Sequence, residues 1–141
     1  MKRCRLDANV LLRFLRNDDP VQSPQARSLL VRAQKGEIHL AMSVLTLAEV
    51  FYALRASYKQ PRRAAAAALL RLVQTGAIEI EQEQLLASAL ESVITANVDL
   101  GDAMLAAEAA ASGDEVATFD RDFTRFPDIQ RHVWRDLKAE A

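Results

Sequence analysis

Short strand-like stretches alternate with helix-like stretches of ten or more residues, and this order constrains the fold of the chain more than any other feature. Strands are predicted at residues 3–6, 37–41, 77–80 and 115–119, with a short last strand at 132–134. Helices are predicted from residue 7 to about 17, at 24–35, from Ser43 onward, at 62–74, at 84–96, and from Asp99 to Ser112. Strands joined by helical crossovers form parallel sheets that are covered on both faces. We therefore expect a three-layer α/β/α fold around a mainly parallel sheet of four to five strands.

The length of the chain favours one domain, because 141 residues bury one sizeable core but rarely two. Half of the residues are apolar and 26% are charged, which excludes disordered and collagen-like chains. No apolar run reaches the length that crosses a bilayer, and Asp7 interrupts the N-terminus before a signal peptide could develop. We therefore expect a single domain over residues 1–141, located in the cytoplasm.

The chain contains too few cysteines and histidines to build a catalytic or metal site from these residue types. The single cysteine, Cys4, excludes an internal disulfide and a cysteine-rich zinc site. The two histidines, His39 and His132, are far apart in the sequence, and we interpret both as structural or surface residues. The net charge of −1 provides no overall positive field for nucleic acid. Carboxylates are therefore the main candidates for chemistry.

Four acids from separate segments are expected to meet at one edge of the sheet. Asp7 follows the first predicted strand and Asp120 follows the strand at 115–119, so both lie where ligands bind in parallel sheets. Asp102 lies in the first turn of a predicted helix, and Glu49 lies in a helix that begins just after a strand. Converging carboxylates repel one another unless a cation joins them, and an all-oxygen ligand set selects Mg²⁺ or Mn²⁺. Since Mg²⁺ completes its shell with water and phosphate oxygens, the pattern indicates phosphodiester or phosphoryl chemistry.

Each acid taken alone also has a purely structural interpretation. Asp7 is placed to cap the first helix, and Asp99 and Asp102 resemble a helix cap with an acid near the N-terminus. Asp120 is placed in a turn, and Glu49 in a solvated helical face. Only their joint placement favours a common site.

Four segments carry these acids: DANVLLRFL at 7–15, SVLTLAEV at 43–50, DLGDAMLAA at 99–107 and TFDRDF at 118–123. In this order they resemble the signature blocks of PIN-domain nucleases, and more narrowly those of VapC-like toxins of bacterial toxin-antitoxin pairs. The resemblance extends from Asp7 to Phe123 and so covers most of the chain. Ala8 stands where many members of the family have threonine.

The resemblance implies an Mg²⁺- or Mn²⁺-dependent endoribonuclease whose catalytic, metal-binding quartet is Asp7, Glu49, Asp102 and Asp120. Other positions match residues that support the quartet in the family: Asn9, Ser43, Asp99, Thr118 and Asp122. The resemblance also implies a toxin that cuts RNA and inhibits translation, a homodimer, and a VapB-like antitoxin that places a basic side chain in the acidic pocket. Since no apolar run is long enough to cross a bilayer, we expect no membrane partner.

A cationic stretch is our candidate for guiding RNA past the acids. No acid occurs between Glu49 and Glu79, whereas five basic residues do: Arg55, Lys59, Arg62, Arg63 and Arg71. Because the planar guanidinium suits phosphate, we expect RNA contacts from Arg13, Arg55, Arg62, Arg63 and Arg121. The alternative interpretation of these arginines is a solvated helical face.

Two other classes of function are weighed against the nuclease. A PIN-like module that binds RNA or protein without cutting would share the fold, but all four quartet positions are acidic here, which favours the enzyme. Phosphoryl transfer with Asp7 as the nucleophile fits poorly, because Asn9 occupies the position where haloacid-dehalogenase-like phosphatases need an acid.

Overall fold

The computed structural model describes residues 2–135 and shows the predicted alternation of strands and helices. The elements are β1 Arg3–Arg5, α1 Ala8–Arg16, α2 Gln22–Gln34, β2 His39–Met42, α3 Val44–Ala56, α4 Arg62–Gln74, β3 Ile78–Ile80, α5 Glu83–Ala96 and α6 Leu100–Ser112, followed by a short 3₁₀ helix at Arg121–Arg125. Six predicted helices are thus present, and α4 has the predicted bounds. The expected α/β class is confirmed.

The three strands form a parallel sheet with β2 in the centre. Leu40 of β2 lies opposite Cys4 of β1 on one side and Ile78 of β3 on the other. Beyond β1, the Leu6 N–H donates to the carbonyl oxygen of Ala41 at 2.9 Å. Because the strands run in the same direction, their carboxyl ends meet at one edge. The segments that lead into α1 and α3 start from this edge.

The sheet is smaller than expected, since residues 2–135 contain three strands and not four or five. The stretch at 115–119 forms only an isolated parallel bridge between Val116 and Arg131, in which the Val116 N–H donates to Gln130 and the His132 N–H donates to Val116, both at 2.8 Å. The strand predicted at 132–134 is also absent. Both predictions were wrong because these stretches bury too little to be held as strands: Val116 is the only buried side chain of residues 115–119, and residues 132–134 are all exposed.

Side-chain caps fix the start of two helices near this edge. The Ser43 hydroxyl accepts a hydrogen bond from the Thr46 N–H at 3.1 Å, which starts α3 directly after β2. A carboxylate oxygen of Asp99 accepts from the Gly101 N–H at 3.1 Å, which starts α6. Such caps satisfy N–H groups that would otherwise lack partners and stabilise the helix by about 1 kcal/mol each.

The core joins the sheet to the helices. Leu40 and Met42 of β2 are almost fully buried in one cluster with Leu11 of α1, Leu47 of α3 and Leu86 of α5. The helix α3 packs against α1, α4 and α6, and α5 packs against α4 and α6. The helix that carries Glu49 therefore lies against the helix that carries Asp102. Across residues 2–135, no helix is both long enough and apolar enough to span a bilayer.

Candidate active site

Asp102 lies in the first turn of α6 and interacts electrostatically with three other acids. Burial is the largest cause that raises the pKa of its carboxyl group above the ordinary value of 3.8. The negative charges of Asp99, Asp120 and Asp122 raise this pKa further, in that order, and the Arg62 guanidinium opposes them. We call Asp99, Asp102, Asp120 and Asp122 the acidic cluster. Its charge is only partly compensated, since a single arginine acts against three acids.

Asp99 positions the first turn of α6 with the help of Tyr52. The Tyr52 hydroxyl donates to Asp99 Oδ2 at 2.8 Å, and the Gly101 N–H lies 3.1 Å from both of these oxygens. A Cβ at position 101 would lie 3.2 Å from both oxygens, so glycine keeps this contact close. Partial burial is the largest cause that raises the pKa of Tyr52, and its bond to Asp99 adds to it. The phenol therefore stays protonated and joins α3 to α6.

Sequence reasoning did not identify Tyr52 as a site residue. The available signal was its position three residues after Glu49, which places both side chains on one face of α3. Nothing in the local sequence shows that this face meets α6. The contact depends on how the two helices pack.

Asp120 is positioned by two of the residues that the sequence predicted as supports. Its Oδ1 accepts a hydrogen bond from the Asp122 N–H at 2.8 Å, which starts the 3₁₀ helix. Its own N–H donates to Thr118 Oγ1 at 3.0 Å. The capping bond uses one carboxylate oxygen and leaves the other available to a cation.

Asp7 and Glu49 lie outside the acidic cluster. Asp7 occupies the N-cap position of α1 with extended backbone, yet its exposed carboxylate accepts no capping bond from that helix. Glu49 is exposed on α3, one turn before Tyr52. Neither acid is among the charges that raise the pKa of Asp102. Asp102 and Asp120 thus interact electrostatically, whereas Asp7 and Glu49 are not among the main charges that act on Asp102.

The side chains fit a hard divalent cation by their chemistry. Within residues 2–135, no three acids, histidines or cysteines stand close enough together to form a ready metal cage. Mg²⁺ does not need such a cage, since it usually keeps several waters and binds one or two carboxylates together with substrate phosphates. The incompletely compensated carboxylates of the acidic cluster provide that kind of donor. Asp102 and Asp120 are two members of this cluster whose carboxylates could hold such a cation.

The two remaining supporting residues lie on helices that leave the sheet edge. Ser43 is engaged as the cap of α3, and its hydroxyl also shares a hydrogen bond with Thr46 Oγ1 at 3.1 Å. Ser43 therefore orients the helix that carries Glu49. Asn9 is exposed on α1 and lines a groove between α1 and α2.

Two of the arginines predicted to contact RNA are already engaged in the fold. The half-buried Arg13 donates to the Tyr58 hydroxyl and forms an ion pair with Asp18 at 3.0 Å. Arg55 donates to the Gln60 carbonyl at 3.1 Å and so holds the turn between α3 and α4. Both guanidiniums have structural partners that RNA would have to share.

The other three arginines are better placed for a polyanion. The positive charge of Arg62 lowers the pKa of Asp102 and so opposes the effect of the neighbouring acids. Arg63 is exposed beside it in the first turn of α4, and Arg121 is exposed directly after Asp120. These side chains remain candidates for contacts with phosphate.

The histidines lie at the surface and face carboxylates. His39 Nε2 lies 2.5 Å from a Glu79 oxygen, and His132 Nδ1 lies 2.7 Å from a Glu115 oxygen. These two contacts are far from each other along the chain, and they fit the interpretation of both histidines as surface residues.

Fold and site together define an α/β protein with a parallel sheet and a partly compensated acidic cluster at the start of a helix. The chain matches the PIN domain family over residues 5–129. It therefore belongs to the PIN domain family, as the four sequence blocks predicted.

Among solved structures, the chain is similar to one described as the crystal structure of VapBC2 from Rickettsia felis bound to a DNA fragment from their promoter. The identity is 16% and the TM-score 0.38, over 95% of this chain and 100% of that chain. A likeness with this TM-score supports no conclusion about function. No curated protein matches the chain.

Proposed function

We propose that the protein is a metal-dependent endoribonuclease that hydrolyses RNA phosphodiester bonds with Mg²⁺ or Mn²⁺. The observation that carries the proposal is the acidic cluster, in which burial and neighbouring negative charges raise the pKa of Asp102. Carboxylates that repel one another are stabilised when a cation lies between them. Membership of the PIN domain family and the four acidic quartet positions support the same function.

In this proposal the chain contributes two pairs of acids. Asp102 and Asp120 bind the cation from the acidic cluster, and Asp7 and Glu49 complete the site from the end of β1 and from α3. A bound divalent cation lowers the pKa of a water, orients it for in-line attack and neutralises developing negative charge.

The neighbouring polar residues act by positioning the acids. Tyr52 and Asp99 hold the first turn of α6, and with it Asp102, in place. Thr118 fixes the backbone of Asp120 through the Asp120 N–H. Arg62, beside the acidic cluster, contributes positive charge for a phosphate of the substrate.

We further propose that this single domain, over residues 1–141, is a cytoplasmic VapC-like toxin that inhibits translation. A VapB-like antitoxin would neutralise it by placing an arginine or lysine among the acids, which attract a cationic side chain as they attract a metal. A homodimer is part of the proposal. The exposed Leu45 of α3 and Leu105 of α6 line one shallow pocket with Tyr52, an apolar surface that supports an interface between proteins.

A catalytically silent PIN-like module is the second candidate. The observation that favours it is the absence, within residues 2–135, of three acids close enough to form a metal cage. Such a module would bind RNA or a protein without cleaving RNA.

The test is cleavage of total bacterial RNA by the purified, antitoxin-free full chain in Mg²⁺, Mn²⁺ or EDTA, with new 5′ ends mapped by sequencing. We expect discrete ends that require metal and that disappear in the Asp7→Asn and Asp102→Asn variants. Asp114→Asn, which removes an exposed acid just after α6, is the matched control and should retain the ends. A folded protein that binds RNA but cuts in no metal would favour the silent module.

A further inference from the structure

Aromatic side chains are exposed directly beside the acidic cluster. The rings of Phe119 and Trp134 are stacked, with centroids 4.4 Å apart and planes inclined by 16°. Phe119 is 85% exposed, more than any other large apolar side chain between residues 2 and 135. Since Trp134 covers one face of the Phe119 ring, the opposite face is open to solvent. We call Phe119 and Trp134 the aromatic platform.

The platform is held by hydrogen bonds and by ring packing. Trp134 Nε1 donates to the Thr118 carbonyl oxygen at 3.0 Å. The His132 ring meets the Trp134 ring edge-on, with centroids 5.0 Å apart, and its Nδ1 lies 2.7 Å from a Glu115 oxygen. An exposed aromatic pair that is fixed in this way indicates a binding surface.

One short segment links the platform to the acids. The Thr118 carbonyl holds Trp134, and the Thr118 hydroxyl accepts from the Asp120 N–H. Phe119 lies between them, so its Cα is about 3.8 Å from that of Asp120. The platform and one member of the acidic cluster are therefore held by the same short segment, Thr118 to Asp120.

We propose that the open face of Phe119, backed by Trp134, stacks an unpaired nucleobase of the RNA strand whose backbone lies at the acidic cluster. This inference rests on the proposed function and adds to it a binding site for one unpaired base. A flat stacked ring pair suits a base, because base–aromatic stacking is the common mode for unpaired RNA. The exposed Arg121 follows Asp120 directly and is placed for an adjacent phosphate. The residues that line this surface are Phe119, His132, Trp134 and Arg135. They do not form the aliphatic groove that a partner helix would need.

The test uses the intrinsic fluorescence of the full chain, because Trp134 is its only tryptophan. The protein is titrated in EDTA, which prevents metal-dependent cleavage, with a ten-nucleotide oligouridylate and with an abasic oligomer of equal length. We expect the oligouridylate to quench the emission saturably, and the abasic oligomer to bind more weakly with little quenching. Equal quenching by both oligomers, or by neither, would overturn the proposal.

A variant series separates stacking from general charge attraction. Since stacking is worth about 1–3 kcal/mol per base, Phe119→Leu should weaken oligouridylate binding by about 5- to 150-fold, and Phe119→Tyr should restore it. Val21→Ala, which trims another exposed apolar side chain, should leave the affinity unchanged. An unchanged affinity of Phe119→Leu would overturn the platform. The platform would also be overturned if Phe119→Leu changed the oligomeric state, measured by sedimentation, and left the RNA affinity unchanged.

Cleavage measured in parallel with Mg²⁺ or Mn²⁺ keeps the two proposals distinguishable. Metal-dependent cleavage by the wild-type protein without base-dependent quenching would overturn the platform and leave the nuclease standing. Base-dependent quenching without cleavage in any metal would overturn the nuclease and leave the platform as the binding site of a silent module.

Discussion

The two halves of the predicted quartet are held in different ways. Asp102 and Asp120 both belong to the acidic cluster. The Asp120 carboxylate accepts a hydrogen bond from the Asp122 N–H, and the hydrogen bond between Tyr52 and Asp99 holds the helix that carries Asp102. Asp7 and Glu49 are exposed at the start of α1 and on α3, and they are not among the charges that shift the pKa of Asp102. The first half is therefore held by hydrogen bonds within the fold, whereas in the proposed enzyme a cation would have to join the second half to it.

The largest expected effect is that of Asp102→Asn on RNA cleavage. Loss of a residue that merely supports a metal ligand costs about 10- to 100-fold in activity, so loss of a central ligand should cost more than about 100-fold. The measurement is the initial rate of cleavage in Mn²⁺ by quantitative sequencing of 5′ ends. Residual activity near that of the Asp114→Asn control would exclude Asp102 as a metal ligand.

Asp102 should also change how the stability of the protein depends on pH. The raised pKa of Asp102 means that the folded state favours its protonated form, so the stability gained is present at low pH and is lost as pH rises through the folded pKa. Asp102→Asn removes this loss, and its melting temperature should fall less than that of the wild type between about pH 4 and pH 7. If the melting temperatures of the wild type and Asp102→Asn changed with pH in parallel in EDTA, burial and charge repulsion at Asp102 would not affect the stability of the folded protein.

Tyr52→Phe tests whether positioning matters for the half that contains Asp102. Removal of the hydrogen bond to Asp99 should lower the free energy of unfolding by about 1 kcal/mol and the cleavage rate by about tenfold. Tyr58→Phe is the matched control, since it also removes a hydroxyl that is hydrogen-bonded, here to Arg13. Urea unfolding measures the stability of the two variants, and the initial rate of RNA cleavage measures their activity. Equal cleavage rates in the two variants would assign Tyr52 a structural role only.

The smallest effect is expected from the arginines beside the acidic cluster. Replacing both Arg62 and Arg63 by alanine should weaken RNA binding and reduce the slope of log affinity against log salt by about 0.7 for each phosphate that the protein no longer neutralises. Arg32→Ala, which removes an exposed arginine paired with Glu37, is the control. Filter binding at several salt concentrations measures the slope. A slope equal to that of the control would show that Arg62 and Arg63 do not contact the RNA backbone.

The sequence predicted those parts of the molecule that local chemistry decides. The helix α4 has its predicted bounds because Pro61 precedes a run of strong helix formers, and Asp99 was expected to cap α6 and does. The predicted strand at 115–119 failed because its alternating pattern buries Val116 alone. Local pattern cannot show how much of a strand its neighbours will cover.

The parts of the site that the sequence missed depend on contacts between distant segments. Tyr52 meets Asp99 from another helix, and Trp134 stacks on Phe119 from beyond the 3₁₀ helix. Arg13 was expected to face RNA, but the packing of α1 engages it with Tyr58 and Asp18. No local motif encodes these pairings.

The most direct test is whether the two halves of the quartet bind one cation. Mn²⁺ binding would be measured by electron paramagnetic resonance for the wild type, Asp7→Asn, Asp102→Asn and the double variant. We predict that each single variant weakens binding by at least about tenfold and that the double variant adds little, because the acids act as a unit. Wild-type affinity in Asp7→Asn, with weaker binding only in Asp102→Asn, would show that the halves do not form one site.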